Sequence, residues 1–122
     1  MMDDEEMLRS LTKQMLVRLG YETETAEHGS EAVEKYKEAR DSGKPFDAVV
    51  LDLTIRGGMG GKATMEALLG IDPQVKAVAC SGYCEDPVME NCRKHGFRGS
   101  LLKPFRKKDL EEALGQVMGE RS

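Results

Sequence analysis

Apolar residues recur at Leu8, Leu11, Met15 and Leu19 behind an acidic first turn, and Gly20 follows them, a spacing that predicts an amphipathic helix over residues 5–19. From Tyr21 to Ala26 the residues alternate as in a short strand, after which Ser30 is placed to cap a second helix with Ala32, Val33, Tyr36 and Ala39 on one face. Ser42-Gly43-Lys44-Pro45 ends that helix. The run Ala48-Val49-Val50-Leu51 is rich in β-branched residues and shows no polar alternation, so it predicts a strand buried on both faces, as in a parallel sheet, ending at Asp52. A glycine-rich loop (Gly57, Gly58, Gly60, Gly61) leads to a third helix carrying Met65, Leu68 and Leu69, and Asp72-Pro73 turns the chain into a strand over Val75–Cys80. Pro87 opens a fourth helix to Lys94, Gly99 to Leu102 forms a last short strand, and Leu110, Ala113, Leu114, Val117 and Met118 mark a final helix.

Strands separated by helices of this length imply right-handed crossovers and an α/β fold, a parallel sheet with helices on both faces. The length of 122 residues suits a single domain spanning residues 1–122, so any output passes through a partner. A formal net charge of -4 without a Lys/Arg-rich run argues against direct nucleic-acid binding, since nothing is clustered to neutralise phosphates. No apolar run approaches the ~20 residues of a membrane span, and Met1-Met2-Asp3-Asp4-Glu5-Glu6 is the opposite of a basic leader. The expectation is a cytoplasmic chain without membrane contact. Cys80, Cys84 and Cys92 are odd in number and lack paired spacing, so they predict neither a disulfide framework nor a zinc site.

In an open parallel sheet, ligands bind beyond the carboxyl ends of the strands. The residues expected there are polar: Asp3 and Asp4 before the first helix, Asp52, Ser81 after Cys80, and Lys103 after Leu101-Leu102. Each alone has an ordinary reading as a helix-dipole complement, a loop cap, a turn or a chain stop. Jointly, they bring three carboxylates to one rim, where a hard, oxygen-seeking cation must join them, and Mg²⁺ is the fitting ion. A carboxylate so placed can attack phosphorus to give an acyl phosphate, with Lys103 and Mg²⁺ supplying positive charge and Ser81 a hydroxyl donor.

Asp3-Asp4, Val49-Val50-Leu51-Asp52, Ser81-Gly82 and Lys103-Pro104-Phe105 resemble the signature of response-regulator receiver domains of two-component signalling. The stretch Leu51-Asp52-Leu53-Thr54 with the glycines after it is similar to receivers of hybrid sensor histidine kinases. The resemblance implies a flavodoxin-like, doubly wound sheet of order 2-1-3-4-5 and phosphoryl transfer from a kinase phosphohistidine to Asp52. It implies Mg²⁺ held by Asp4, Asp52 and the main-chain carbonyl of Thr54, with Asp3 acting mainly through water on that ion. Ser81 and Lys103 would each meet a phosphoryl oxygen, shifting the face made by the last two helices and the last strand between two states. Thr54 and Tyr83 occupy positions that tune hydrolysis of the acyl phosphate in this family. The partner implied is a histidine kinase or a histidine phosphotransfer domain. Such a domain catalyses its own phosphorylation, and sometimes its dephosphorylation, while serving as a switch.

Three features depart from the family pattern. Only Met1 and Met2 precede Asp3, so the first strand is largely missing from this chain, to be supplied by residues upstream or replaced through strand exchange or dimerisation. Ser100 stands where many relatives carry a switching Tyr or Phe, and Arg56 where Pro is common. The alternative function is a receiver-like interaction module that is not phosphorylated. A dinucleotide-binding site is disfavoured because Gly58-x-Gly60-x-x-Ala63 comes mid-chain rather than at the first strand, and a haloacid dehalogenase-type phosphatase because Thr54 replaces its second Asp.

Overall fold

The alternation of helices and parallel strands is present in a computed structural model, which describes residues 1–3, 5–53, 60–81, 96–103 and 105–119. In chain order the elements are α1 (Glu6–Arg18), α2 (Gly29–Asp41), β1 (Val49–Asp52), α3 (Gly61–Ile71), β2 (Ala77–Ser81), β3 (Gly99–Leu102) and α4 (Lys107–Gly119). β1 and β2 run parallel with Val49 opposite Ala77 and Asp52 opposite Cys80, and β2 and β3 run parallel with Val78 opposite Gly99 and Ser81 opposite Leu102. The expected helix over Pro87–Lys94 and the glycines at 57 and 58 lie outside the described residues.

As expected, the first strand is largely missing: Met2 alone holds its place. Met2 bridges Ala26 on one side and Leu51 on the other, both in parallel. Its N–H donates to the Val50 carbonyl at 2.8 Å, its carbonyl accepts from Asp52 at 3.1 Å, and across the other edge Ala26 donates to the Met1 carbonyl at 2.9 Å while Asp3 donates to Ala26 at 3.1 Å. Counting these bridge positions, the sheet runs Ala26, Met2, β1, β2, β3, which is the 2-1-3-4-5 order. The expected strand over Tyr21–Ala26 is correspondingly reduced to its Ala26 bridge, because a parallel strand exists only where a neighbour satisfies its N–H and C=O groups.

Side chains alternate across the sheet with period two. Val49, Leu51, Ala77 and Ala79 pack with Tyr36 of α2 and with Met65 and Leu68 of α3, whereas Val50, Val78, Cys80 and Leu101 pack with Leu16 of α1 and with Leu110, Leu114 and Val117 of α4. The three layers follow from that alternation. Two local expectations change. The buried line of α1 runs through Thr12 and Leu16, and Leu11 stays 45% exposed, since the sheet meets the helix one residue further round. Ser30 sits inside the first turn of α2 and does not cap it; the Glu31 carboxylate instead accepts from the Glu27 N–H at 2.8 Å.

At the amino end of the sheet, below Met1, a cavity of about 590 Å³ separates the segment from Tyr21 to Ala26 from Ala48, Val49 and Val50.

Candidate functional site

Each strand delivers its last residue, or the one after it, to the same rim. The Met2 bridge hands over Asp3, β1 ends on Asp52, β2 ends on Ser81, and Lys103 follows β3. Asp3, Asp52 and Ser81 are buried, at 0%, 1% and 0% exposed. Lys103 threads between the two carboxylates: its ammonium donates to Asp3 Oδ2 at 3.0 Å and to Asp52 Oδ2 at 2.9 Å. The lysine is itself positioned by the ladder, its N–H donating to the Ser81 carbonyl at 2.8 Å, just as the Leu53 N–H donates to Cys80 at 2.8 Å.

The electrostatics follow from this burial. Desolvation alone would lower the Lys103 pKa, but its hydrogen bonds to Asp52 and Asp3 outweigh it and hold the ammonium above its ordinary value. Burial holds the Asp3 carboxyl above the usual range despite donors from the Glu5 N–H and Lys103, and the neighbouring Asp52 adds to the rise. The Cys80 thiol is pushed up to about 12, first by burial, so it is no nucleophile at neutral pH. With both carboxylates ionised, one cation faces two anions, and the rim retains an attraction for further positive charge.

Sequence reasoning had grouped Asp3, Asp52, Ser81 and Lys103 on one rim, and the structure brings them there. Asp4, Thr54 and Tyr83 lie outside the described residues. Among the described residues, no group of three or more His, Cys, Asp or Glu side chains is arranged to hold a metal ion. Those that are described suit a hard cation, because two buried carboxylates converge within hydrogen-bond reach of one nitrogen.

Three contributors had no signal in the pattern. Arg9 of α1 reaches back to donate to the Asp3 carbonyl at 2.8 Å. Gly61, noted only as part of a loop, starts α3 directly against the end of β1, and a Cβ there would stand 2.9 Å from the Asp52 carbonyl oxygen and 2.6 Å from Leu53 Cδ2. Thr64, fully buried one turn later, bonds the Gly60 carbonyl at 2.7 Å and meets Met2 Sδ at 3.7 Å.

A family model for the response regulator receiver domain matches residues 1–115. The chain is 34% identical over 116 residues to chemotaxis protein CheY of Thermotoga maritima, covering 94% of this chain and 92% of that protein. Its fold is similar to that of the receiver domain of NtrX from Brucella abortus, with a TM-score of 0.87, 24% identity, and coverage of 99% of this chain and 97% of that one. It is also similar to the receiver domain of sensor histidine kinase PA1611 from Pseudomonas aeruginosa, a structure with magnesium coordinated in its active site cleft (TM-score 0.83, 22% identity, 97% and 93% coverage). Stand-alone chemotaxis proteins and a kinase-borne receiver are thus both among the proteins it resembles. With its strand-end residues gathered and residues 1–115 matched, the chain belongs to the response regulator receiver domain family of two-component signalling.

Proposed function

We propose that this chain, as one domain over residues 1–122, is a phospho-acceptor switch in which Asp52 takes a phosphoryl group from a phosphohistidine. The observation that carries the reading is the Lys103 ammonium shared between buried Asp3 and Asp52 at the carboxyl ends of adjacent strands. An Asp52 carboxylate oxygen attacks phosphorus; the O–P bond forms as the P–N bond breaks, and the imidazole nitrogen keeps the electron pair and takes up a proton. Lys103 exchanges one carboxylate contact for a phosphoryl oxygen, and Ser81, at the end of the adjacent strand, offers its hydroxyl to another. Asp3, Asp4, Asp52 and the Thr54 carbonyl are the groups that would hold Mg²⁺, whose charge would offset that of the transferring oxygens. The reading includes a cytoplasmic location and a protein partner, a histidine kinase or histidine phosphotransfer domain. No helix among the described residues is long and apolar enough to cross a membrane.

The test is the intact mass of the protein after incubation with Mg²⁺ and acetyl phosphate, beside Asp52→Ala. A Mg²⁺-dependent gain of one phosphoryl group, abolished in the variant, is expected. A folded wild-type sample that takes up no phosphoryl group would replace this reading with that of a phosphorylation-independent interaction module.

A further inference from the structure

Asp3 is held at every polar atom it has. Its N–H donates to Ala26, its Oδ1 accepts from the Glu5 N–H at 3.0 Å, its Oδ2 accepts from Lys103, and its carbonyl accepts from Arg9 Nη1 at 2.8 Å. Three of these four contacts come from the sheet, from the turn itself or from another proposed site residue. The fourth comes from a side chain on α1 that takes no part in the chemistry derived above. It is charge-assisted and part-buried, so it is of the stronger kind. Arg9 also donates its N–H to the Glu5 carbonyl at 2.9 Å, so one residue is bonded to the main chain at both Asp3 and Glu5.

We infer that Arg9 is a positioning residue of the cation site: it clamps the Asp3 carbonyl and thereby holds Asp3 where its carboxylate faces the metal. This rests on the reading of the rim as a Mg²⁺ site. Two physical effects of the guanidinium oppose each other and give the inference its sign. As a bare positive charge near the rim, it repels a divalent cation, and its removal would tighten binding. As a clamp, it pre-organises Asp3, and its removal weakens binding because Asp3 must then be ordered when the metal arrives.

The experiment titrates Mg²⁺ into wild type, Arg9→Met and Arg9→Lys by calorimetry, with thermal unfolding and amide hydrogen exchange recorded in the absence of metal. The clamp predicts a Mg²⁺ dissociation constant raised by roughly tenfold in Arg9→Met, the factor that about 1.4 kcal/mol represents. It also predicts faster exchange at the Glu5 amide and a smaller loss in Arg9→Lys, with wild type and Arg9→Lys unfolding at the same temperature. Unchanged or tighter Mg²⁺ binding in Arg9→Met, or unaltered exchange at Glu5, overturns the inference and leaves the Mg²⁺ site standing. A folded wild type that binds no Mg²⁺ overturns both. Should Arg9→Met not fold, Arg9→Lys decides alone: binding equal to wild type overturns the clamp.

Discussion

The two ends of the sheet solve opposite problems. At the carboxyl end, two carboxylates and an ammonium are taken almost fully out of water and bonded to one another. At the amino end, around the cavity below Met1, the charged side chains keep access to solvent. Lys35 bonds the Thr25 carbonyl and lies 3.8 Å from Glu24, which is 64% exposed, and Tyr36 reaches across to Asp72 at the turn before β2. The lesson is that comparable charges differ in energetic weight according to whether water can replace their partners. The carboxyl end depends on each ion, whereas the amino end tolerates losing one.

The largest expected effect follows directly. Lys103→Met leaves Asp3 and Asp52 buried and facing each other without a counter-charge, and should cost about 3 kcal/mol or more in urea unfolding at neutral pH without divalent cations. Lys35→Met, beside the cavity, should change stability by less than about 0.5 kcal/mol. Equal losses at the two ends would break the comparison.

A glycine pair on one helix sharpens it further. Gly61→Ala drives a Cβ to 2.9 Å from the Asp52 carbonyl, a backbone atom that cannot swing away, so a loss of about 1–3 kcal/mol is expected. Gly70→Ala, near the other end of α3 with nothing within 4 Å, should instead gain up to about 0.5 kcal/mol from helix propensity. Thermal unfolding of the two variants reads both signs.

How much of this was legible in the sequence depends on the range of the interaction that decides it. Asp52 and Lys103 could be placed because each follows a short apolar run, and the parallel-sheet rule brings strand ends together whatever lies between. The largely missing first strand was legible, but the way Met2 holds its place was not, because pattern reading needs a run of residues. Two hydrogen-bonded edges need only Met2, whose position between Ala26 and Leu51 is a tertiary fact. Leu11 was assigned to the buried face because spacing alone fixes a stripe but not which flank the sheet meets. Arg9 gave no signal, since a side chain bonding a carbonyl six residues earlier leaves no periodicity behind.

Tyr36→Phe tests the amino end by pH. Burial alone would raise the Asp72 carboxyl, but donors from Tyr36 and Gln74 and the nearby Arg40 and Arg98 hold it below its ordinary value. A group with a depressed folded pKa adds stability that is present above its unfolded value, 3.8, and is lost as pH falls through the folded one. Removing the Tyr36 hydroxyl should therefore cost about 1 kcal/mol at neutral pH, and the gap from wild type should close as the pH is lowered past that value. A gap that widens in acid would mean that the hydroxyl acts through something other than Asp72.

Ala48→Val is expected to be a small gain, and its sign separates the amino end from the centre of the sheet. Ala48 lines the cavity of about 590 Å³ at the amino end, on the side of the sheet facing Leu16 and Leu114, so added methyl groups have room to bury without displacing a neighbour. Ala48→Val should stabilise by about 0.5 kcal/mol, less than the ~0.8 kcal/mol of each fully buried methylene because the site stays partly open to water. Ala79, 0% exposed in the middle of β2, offers no such room, and Ala79→Val should destabilise by forcing its neighbours off their rotamers. Chemical unfolding of the pair measures packing directly, without charge or metal entering. Opposite signs would show that the amino end is under-filled while the centre of the sheet is complete. A loss at both positions would mean that the walls around Met1 already close over the space in solution.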